Sequence, residues 1–308
     1  MKILLYITAL GVLALKIDAQ TNIVFQWQAT IKVVDEASTP FVGAATTIGY
    51  YSNAVSTIEE GITDTNGIFT FAHKAFSPYA DVSFEAKKNG YYSIWQQVNL
   101  QPPYDPAKWN MERTLMLKKV GKPIGMYSKK YAMALRLPVY SKSIGYDFMV
   151  GDWVGPYGKG VSTDLKIEQD YTNLPSGRYY SKIIVTFPKD GDGIQLYNIP
   201  DSEIGSGLRS PHEAPLNDFQ PEISRETSAL PGQPNKFEFE PNRIYFFRVR
   251  TVKDHDGNIV SAHYGKIYGD FMQFTYYLNP TPNDRNIEFD PKQNLLGGLQ
   301  SFEQVDQP

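Results

Sequence analysis

The sequence predicts an all-β protein made of two antiparallel β-sandwich domains. Apolar and polar residues alternate over Phe25-Gln26-Trp27-Gln28-Ala29 and similar runs, a pattern typical of strands with one buried face. Asn-Gly and Asp-Gly pairs recur between these runs and favour tight turns. No pattern of apolar residues three and four positions apart lasts ten residues, so we expect no long helix.

Length and composition limit the number of domains and the classes of partner. A chain of 308 residues predicts one large or two ordinary domains, and 42% hydrophobic residues are enough for globular cores. The net charge is −3 and the sequence pI is about 5.9. Because no basic field is present to hold a phosphate backbone, we expect no nucleic-acid partner.

The N-terminus has the features of a signal peptide over residues 1–19. Lys2 gives a positive start, an apolar run follows over residues 3–15, and Ala19 is the expected last residue removed. The run is shorter than the roughly 20 residues of a membrane span, and the alternative is an uncleaved N-terminal anchor. No later segment is apolar enough to cross a bilayer. The mature chain is therefore expected to be secreted, periplasmic or on the cell surface, without a transmembrane segment.

The chain has no cysteine. Secreted eukaryotic proteins of this size commonly carry disulfides, so the absence favours an exported bacterial protein. It also excludes a lipid-anchoring cysteine, a cysteine nucleophile and a thiolate metal site.

The first domain is predicted over residues 22–120 as about seven short strands. Its clearest turn is Asp64-Thr65-Asn66-Gly67, which predicts a hairpin feeding a strand with Phe69 and Phe71 on one face. Four motifs in this domain resemble the carboxypeptidase regulatory-like (transthyretin-like) family: Val33-Val34-Asp35, Thr39-Pro40 with Val42-Gly43-Ala44, Gly61 to Phe69, and Lys88-Asn89-Gly90-Tyr91. The resemblance implies a transthyretin-like or Ig-like accessory sandwich on an exported bacterial protein, and it says almost nothing about activity.

The rest of the chain predicts a linker over residues 121–137, a larger sandwich over 138–290 and a loose polar tail over 291–308. Residues 198–242 contain seven prolines and little periodicity. Such a long irregular excursion is expected either to bind or pack, or to be a plain surface loop. Segments 146–153, 264–271 and 277–286 resemble uncharacterised exported bacterial proteins, which implies no activity.

Metal binding has one weak candidate. Asp254, Asp256 and Asn258 have alternate oxygen ligands, as a calcium loop does. The glutamate that such a loop places twelfth is absent, because Gly265 stands there, and a polar hairpin turn explains the residues equally well. The four histidines lack the spacing of a helical zinc site, and we expect no other cofactor.

Catalytic signatures are weak. No Gly-x-Ser-x-Gly elbow and no Gly-rich phosphate loop occur. A pair of carboxylates for glycoside hydrolysis is a spatial arrangement that sequence alone does not reveal. The acids to inspect for such a pair are Asp147, Asp152, Glu168 and Glu213.

Trp153 and Tyr157 are the candidate binding residues. They lie in a stretch rich in glycine, residues 151–160, and aromatic rings on a β scaffold can stack on sugars or on an apolar partner. The alternative is that Trp153 is the tryptophan of the sandwich core. The sequence thus favours a non-catalytic binding or structural protein of the cell surface, with a protein or glycan partner. The alternatives are a carbohydrate-binding or carbohydrate-processing accessory protein, and an exported hydrolase with a hidden carboxylate pair.

Overall fold

The computed structural model describes residues 25–52, 56–75, 80–100, 110–131, 137–236, 242–271 and 273–308. These residues form β-strands and three single-turn 3-10 helices, which confirms the all-β prediction. No helix within them is long and apolar enough to cross a membrane. The predicted signal peptide, residues 1–19, lies outside the described residues.

The first sandwich consists of two facing sheets with the strand orders β4-β1-β7 and β3-β2-β5-β6. Its strands are β1 (Phe25–Val34), β2 (Ala45–Tyr51), β3 (Ser56–Ile62), β4 (Ile68–Ala75), β5 (Ala80–Lys87), β6 (Ile94–Leu100) and β7 (Asn110–Met116). Strands β1 and β7 run parallel, which departs from the purely antiparallel expectation. The alternation in β1 buries Ala29, Ile31 and Val33, which share one core with Phe84.

The turn Asp64-Thr65-Asn66-Gly67 forms, but the predicted hairpin does not. Asp64 Oδ1 accepts hydrogen bonds from the amides of Asn66 and Ile68, both at 2.8 Å. Gly67 has φ of +73°, and a Cβ there would lie 2.5 Å from the carbonyl oxygen of Val33. The strands on either side, β3 and β4, belong to different sheets. The turn therefore carries the chain across the sandwich, because local turn chemistry does not determine which strands pair.

The second sandwich packs a five-stranded sheet on a six-stranded sheet. Their orders are β10-β9-β11-β12-β14 and β13-β15-β16-β17-β8-β18. The strands are β8 (Ile124–Tyr131), β9 (Ile144–Asp147), β10 (Asp152–Trp153), β11 (Leu165–Leu174), β12 (Arg178–Thr186), β13 (Gly193–Tyr197), β14 (Glu222–Ala229), β15 (Ile244–Lys253), β16 (Ile259–Asp270), β17 (Gln273–Leu278) and β18 (Phe289–Asn294). The core between the sheets is aromatic: Phe148 stacks on Phe247 at 4.6 Å and contacts Tyr276 at 4.7 Å.

The six-stranded sheet is buried on both faces. Residues 244–247 are buried one after another, as expected of a strand without a solvent face. The outer face carries Phe246, Tyr264 and Tyr277, which form a second core with Ile287 and Val305. The C-terminal segment therefore completes the domain.

Three segments that the sequence predicts as linker, excursion and tail contain strands or buried residues. The predicted linker, residues 121–137, contains β8, which pairs with β17 and β18. The excursion 198–242 contains β14, which pairs with β12. The tail 291–308 contains part of β18 and the buried Val305. Partners far away in the chain pair these strands, and side chains add to the pairing in the C-terminal segment, where the Asn294 side-chain amide donates to the Ser128 carbonyl oxygen at 2.7 Å.

Candidate functional site

Residues 200–213, here called the strap, join the two sandwiches. Although they come from the second half of the chain, they extend the first sandwich at the edge of β6. The amide of Trp95 donates to the carbonyl oxygen of Gly205 at 3.1 Å, and the amide of Gly207 donates to that of Ser93 at 2.8 Å. Gly205 has φ of +81° and lies so close to the Trp95 carbonyl that a Cβ would overlap it. The excursion that the sequence left open therefore has a packing role.

A buried ion pair holds the same strap. Lys118 Nζ lies 2.5 Å from Glu203 Oε2, and both side chains are almost wholly buried. The same ammonium donates to the Ser210 carbonyl oxygen at 2.9 Å. Removing one partner of such a buried ion pair strongly destabilises a protein. The strap is therefore anchored along its length, at Glu203 and Ser210 as well as at Gly205.

Lys266 lies beneath the strap and is fully buried. Its Nζ is 3.1 Å from Ser210 Oγ and sits over the rings of Tyr268 and Tyr277 at 4.8 and 4.9 Å. Burial, together with the charges of Arg209 and Lys118, lowers the pKa of Lys266 well below its ordinary value. The side-chain nitrogen of Lys266 is thus held by aromatic faces and a hydroxyl.

A chain of ionisable side chains closes the junction at its other end. His212 Nε2 lies 3.0 Å from Glu36 Oε1 of the first sandwich, and Nδ1 lies 3.1 Å from Glu288 Oε2 of the second. An ionised carboxylate only accepts, so both contacts are hydrogen bonds only when both ring nitrogens carry protons. We call Glu36, His212, Glu288 and Tyr92 the clasp, in which one imidazole ring bridges a carboxylate of each sandwich.

Glu288 is the most heavily used carboxylate of the clasp. It accepts from Tyr92 Oη at 2.5 Å and from the amides of Gly121 and Lys122, each at 2.9 Å. Burial raises the pKa of Glu288, but the bonds from Tyr92, Gly121 and His212 outweigh it and leave the pKa below its ordinary value. Burial and the same carboxylate raise the pKa of Tyr92.

The strap, β6 and β7 enclose a cleft of about 1130 Å³, here called the interdomain cleft. Trp95 lines it and is 50% exposed. Two cations and two carboxylates also line it, namely Arg113, Arg209, Glu112 and Asp201. Uncharged polar residues also line it: Ser93, Gln96, Gln97, Thr114, Ser202, Ser206, Asn242 and Gln307.

The predicted binding pair, Trp153 and Tyr157, lies elsewhere. Trp153 is 9% exposed and packs edge-on against Tyr146 at 5.2 Å within the core of the second sandwich. Its ring offers no free face to a ligand, which is the arrangement of a core tryptophan. Tyr157 is 41% exposed but does not line the interdomain cleft.

The calcium candidates form a hairpin turn. Asp254 Oδ1 accepts from the amides of Asp256 and Asn258 at 3.0 and 2.8 Å. This is the geometry of the turn at Asp64, and Gly257 takes the left-handed conformation of Gly67, with φ of +84°. The alternating oxygen residues are therefore explained by an Asx turn. Among the described residues, no group of three or more His, Cys, Asp or Glu side chains is placed to hold a metal ion.

Strands β9 and β10 place Asp147 directly opposite Asp152, but both carboxylates already accept hydrogen bonds from neighbouring groups, and neither lines the interdomain cleft. Asp147 is buried and bonded to Arg250 Nη2 at 2.7 Å and to the amides of Val161 and Ser162. The two oxygens of Asp152 accept from the amides of Trp153 and Lys159. Glu213 pairs with Arg285. Glu168 lies on β11, and it does not line the interdomain cleft.

Sequence reasoning missed Trp95, although a signal was present. Residues 94–100 alternate, and buried Ile94 places Trp95 on the solvent side, opposite Glu85 of β5. A tryptophan at a polar-facing position is unusual and is a better pointer to a ligand than one next to a glycine-rich turn. The strap, by contrast, gave no signal, because it meets β6 from more than 100 residues away in the chain.

Comparison with known proteins adds little. No family model matches the chain, and no curated protein matches it. Among solved structures, 3-chlorocatechol 1,2-dioxygenase from Rhodococcus opacus 1CP is similar at 16% identity and a TM-score of 0.25; the match covers 33% of this chain and 62% of the dioxygenase.

Two further similar structures span more of the chain. The shaft pilin SpaA from Lactobacillus rhamnosus GG is 12% identical with a TM-score of 0.23, over 75% of this chain and 89% of the pilin. A DUF3823 family protein from Parabacteroides merdae ATCC 43184 is 6% identical with a TM-score of 0.19, over 86% of this chain and 98% of that protein. At such scores these likenesses carry no argument about function.

Proposed function

We propose that this chain is an exported, non-catalytic protein that binds a partner at the cell surface through its interdomain cleft. The observation that carries the proposal is the strap, which ties the two sandwiches by backbone hydrogen bonds and a buried ion pair. Binding sites are usually largely preformed concave surfaces between domains. A cleft whose walls are held this firmly loses little conformational entropy when a ligand binds.

The first sandwich would then be an accessory module of the transthyretin-like type. Its seven strands, two sheets and Asp64 turn support this assignment. In this role the module contributes β6 and β7 as one wall of the cleft, and the second sandwich contributes the strap as the other.

The test has two parts, export and binding. In the producing cell, we expect the chain to be found outside the cytoplasm with residues 1–19 removed, as read by N-terminal sequencing of fractionated cells. Purified labelled chain should bind the surface of those cells saturably and leave the bound material chemically unchanged. Retention in the cytoplasm, unsaturable binding or turnover of the bound material would contradict the proposal.

A second candidate is a structural subunit that assembles through β3. This strand forms one edge of its sheet, and its Ile58 and Ile62 are exposed. Unprotected edges pair with other chains, but charged residues on the edge oppose such pairing, and Glu59 and Glu60 lie on the same strand. Light scattering of the purified chain distinguishes the two: filaments or ordered oligomers that disappear on Ile58→Lys substitution favour assembly.

A further inference from the structure

The residues that line the interdomain cleft include an exposed tryptophan. Trp95 is 50% exposed, whereas Trp27 and Trp153 are 4% and 9% exposed. The backbone at Trp95 is fixed on both sides, by β5 and by the strap amide contact with Gly205. An exposed indole on a rigid strand supplies apolar contact area with little loss of side-chain freedom on binding.

The polar side chains of the cleft include both hydrogen-bond donors and acceptors. Arg113 and Arg209 only donate, while Glu112 and Asp201 only accept when ionised. Hydroxyl and amide side chains of serine, threonine, asparagine and glutamine lie among them and do both. A ligand hydroxyl both donates and accepts, so a ligand rich in hydroxyl groups matches this lining.

The charges of the cleft also limit the ligand. Two arginines and two carboxylates cancel, so the cleft has no net formal charge to attract a polyanion or a polycation. Arg209 is further held over the ring of Tyr268 at 4.2 Å, and Arg113 gives one N–H to the carbonyl oxygen of Glu112 at 3.0 Å. Both cations are therefore oriented donors.

The size of the cleft suggests an oligomer. At about 1130 Å³ it exceeds the range of about 300–1000 Å³ typical of small-molecule pockets. Its walls come from two sandwiches and run from Ser93 to Val98 on one side and from Asp201 to Arg209 on the other. A chain of several ring units fits such a trough better than a single compact molecule.

We infer that the interdomain cleft binds a neutral oligosaccharide, with one sugar ring stacked on Trp95 and its hydroxyl groups held by the mixed donors and acceptors of the strap and β7. The inference rests on the proposed binding function and names its ligand class. The sugar's apolar ring face meets the indole, and its equatorial hydroxyl groups meet the polar wall. No group is transferred and no bond is broken.

The test is titration calorimetry of the full chain with neutral hexaoses of glucose, mannose, xylose and galactose, and with polygalacturonate and a protein digest as other ligand classes. We expect at least one neutral hexaose to bind, with an affinity that changes little between low and high salt. Trp95→Ala should weaken that binding by about tenfold or more, from lost ring burial. Tyr140→Ala is the matched control, since Tyr140 is 52% exposed but does not line the cleft.

Fluorescence gives a second readout that a folding defect would not imitate. The bound hexaose should protect the wild type from acrylamide quenching, and this protection should be absent in Trp95→Phe. The inference is overturned if no neutral hexaose binds, if Trp95→Ala binds as well as the wild type, or if Tyr157→Ala is the variant that loses binding.

Binding of the chain to treated cell surfaces distinguishes failure of this inference from failure of the proposed function. Binding of the chain to the cell surface should survive protease treatment of that surface and be lost after periodate oxidation of its sugars. If protease abolishes binding instead, the partner is a protein. The proposed binding function is then retained, and the assignment of an oligosaccharide ligand is wrong. If the chain binds neither treated nor untreated surface, the binding function itself fails.

Discussion

Arg250 holds two buried carboxylates at once. Its Nε lies 2.7 Å from Asp164 Oδ1, and its Nη2 lies 2.7 Å from Asp147 Oδ1. It occupies a bulge of β15 with φ of +58°, where Asp192 accepts from the backbone amides of Arg250 and Thr251. Asp147, one of the four acids to inspect as catalytic residues from sequence, therefore serves with Asp164 to join the two sheets through Arg250, and Asp147 in addition closes its own turn.

We expect Arg250→Leu to lower the free energy of unfolding by about 3–5 kcal/mol at pH 7, because it leaves buried carboxylates without their cation. Burial raises the pKa of Asp164 above its ordinary value, although Arg250 opposes the shift. A carboxyl with a raised folded pKa costs stability as pH rises above its unfolded value of about 3.9. The deficit of the variant should therefore shrink between pH 7 and pH 4.5, measured by urea unfolding.

The control for Arg250 is Lys253→Met, on the same strand. Lys253 pairs with Asp190, whose side chain is 88% exposed, and exposed pairs contribute at most about 1 kcal/mol. This variant should change stability little at either pH. A deficit of Arg250→Leu that is the same at both pH values would show that the buried charges are not its cause.

Turns closed by a single aspartate show what local sequence can predict. Asp35, Asp64 and Asp254 each use Oδ1 to accept amides two and four residues ahead. Such turns depend on neighbouring residues alone, so the turn at Asp64 was predictable from sequence. Which strands each turn connects was not predictable. The turn at Asp64 links strands of two different sheets, whereas the turn at Asp254 closes a true hairpin. The Asp254 turn resembles a calcium loop in sequence, but its carboxylate bonds its own backbone.

Among the elements, strands with strong alternation were predictable and strands with polar sequences were not. β1 buries every second residue and was readily predicted. β14 lies at a sheet edge and has one large apolar residue, Ile223. β8 carries Lys129 and Lys130 near its C-terminal end, and Lys129 is paired with Glu303 of the C-terminal segment. Long-range partners decide such strands, so the local pattern alone does not reveal them.

Substitution of Gly205 tests whether its close contact with Trp95 holds the strap on β6. We expect Gly205→Ala to destabilise the protein and detach the strap from β6, because its Cβ would overlap the Trp95 carbonyl. Gly232→Ala is the matched control, since Gly232 also has a positive φ, +70°, but meets nothing within 4 Å. The control should lose about 1–2 kcal/mol from the left-handed backbone alone, and Gly205→Ala more than that. Hydrogen exchange at the Trp95 amide should increase only in Gly205→Ala; equal exchange in both variants would contradict a strap held by this contact.

For the whole molecule, two sandwiches were predictable, but the way they join was not. The first sandwich contributes Glu36, Tyr92 and Trp95, the strap contributes Gly205 and His212, and the second sandwich contributes Glu288. These residues are ordinary polar and small residues when considered one at a time. Their role comes from being brought together over distances in the chain of 76 to 196 residues, which no local pattern encodes.

The clasp makes this junction depend on pH. Because the pKa of Glu288 is lower in the folded state, its carboxylate stabilises the fold above an unfolded pKa of about 4.3, and this stability is lost as pH falls through the folded value. Glu288→Gln keeps the shape and removes the charge. At pH 7 it should lose about 1.5–3 kcal/mol, the range for hydrogen bonds to charged groups, and the loss should vanish in strong acid.

The thermal unfolding profile would show whether the clasp couples the two sandwiches. Glu288 is bonded to Tyr92 of the first sandwich and to the strap through His212, so losing its charge should separate one calorimetric transition into two. Glu36→Gln is the matched control, since the Glu36 side chain is 42% exposed at the outer end of the same chain of bonds and should leave a single transition. Two transitions in the wild type would show that the sandwiches unfold independently. Equal effects of both substitutions would show that Glu288 has no special role in coupling them.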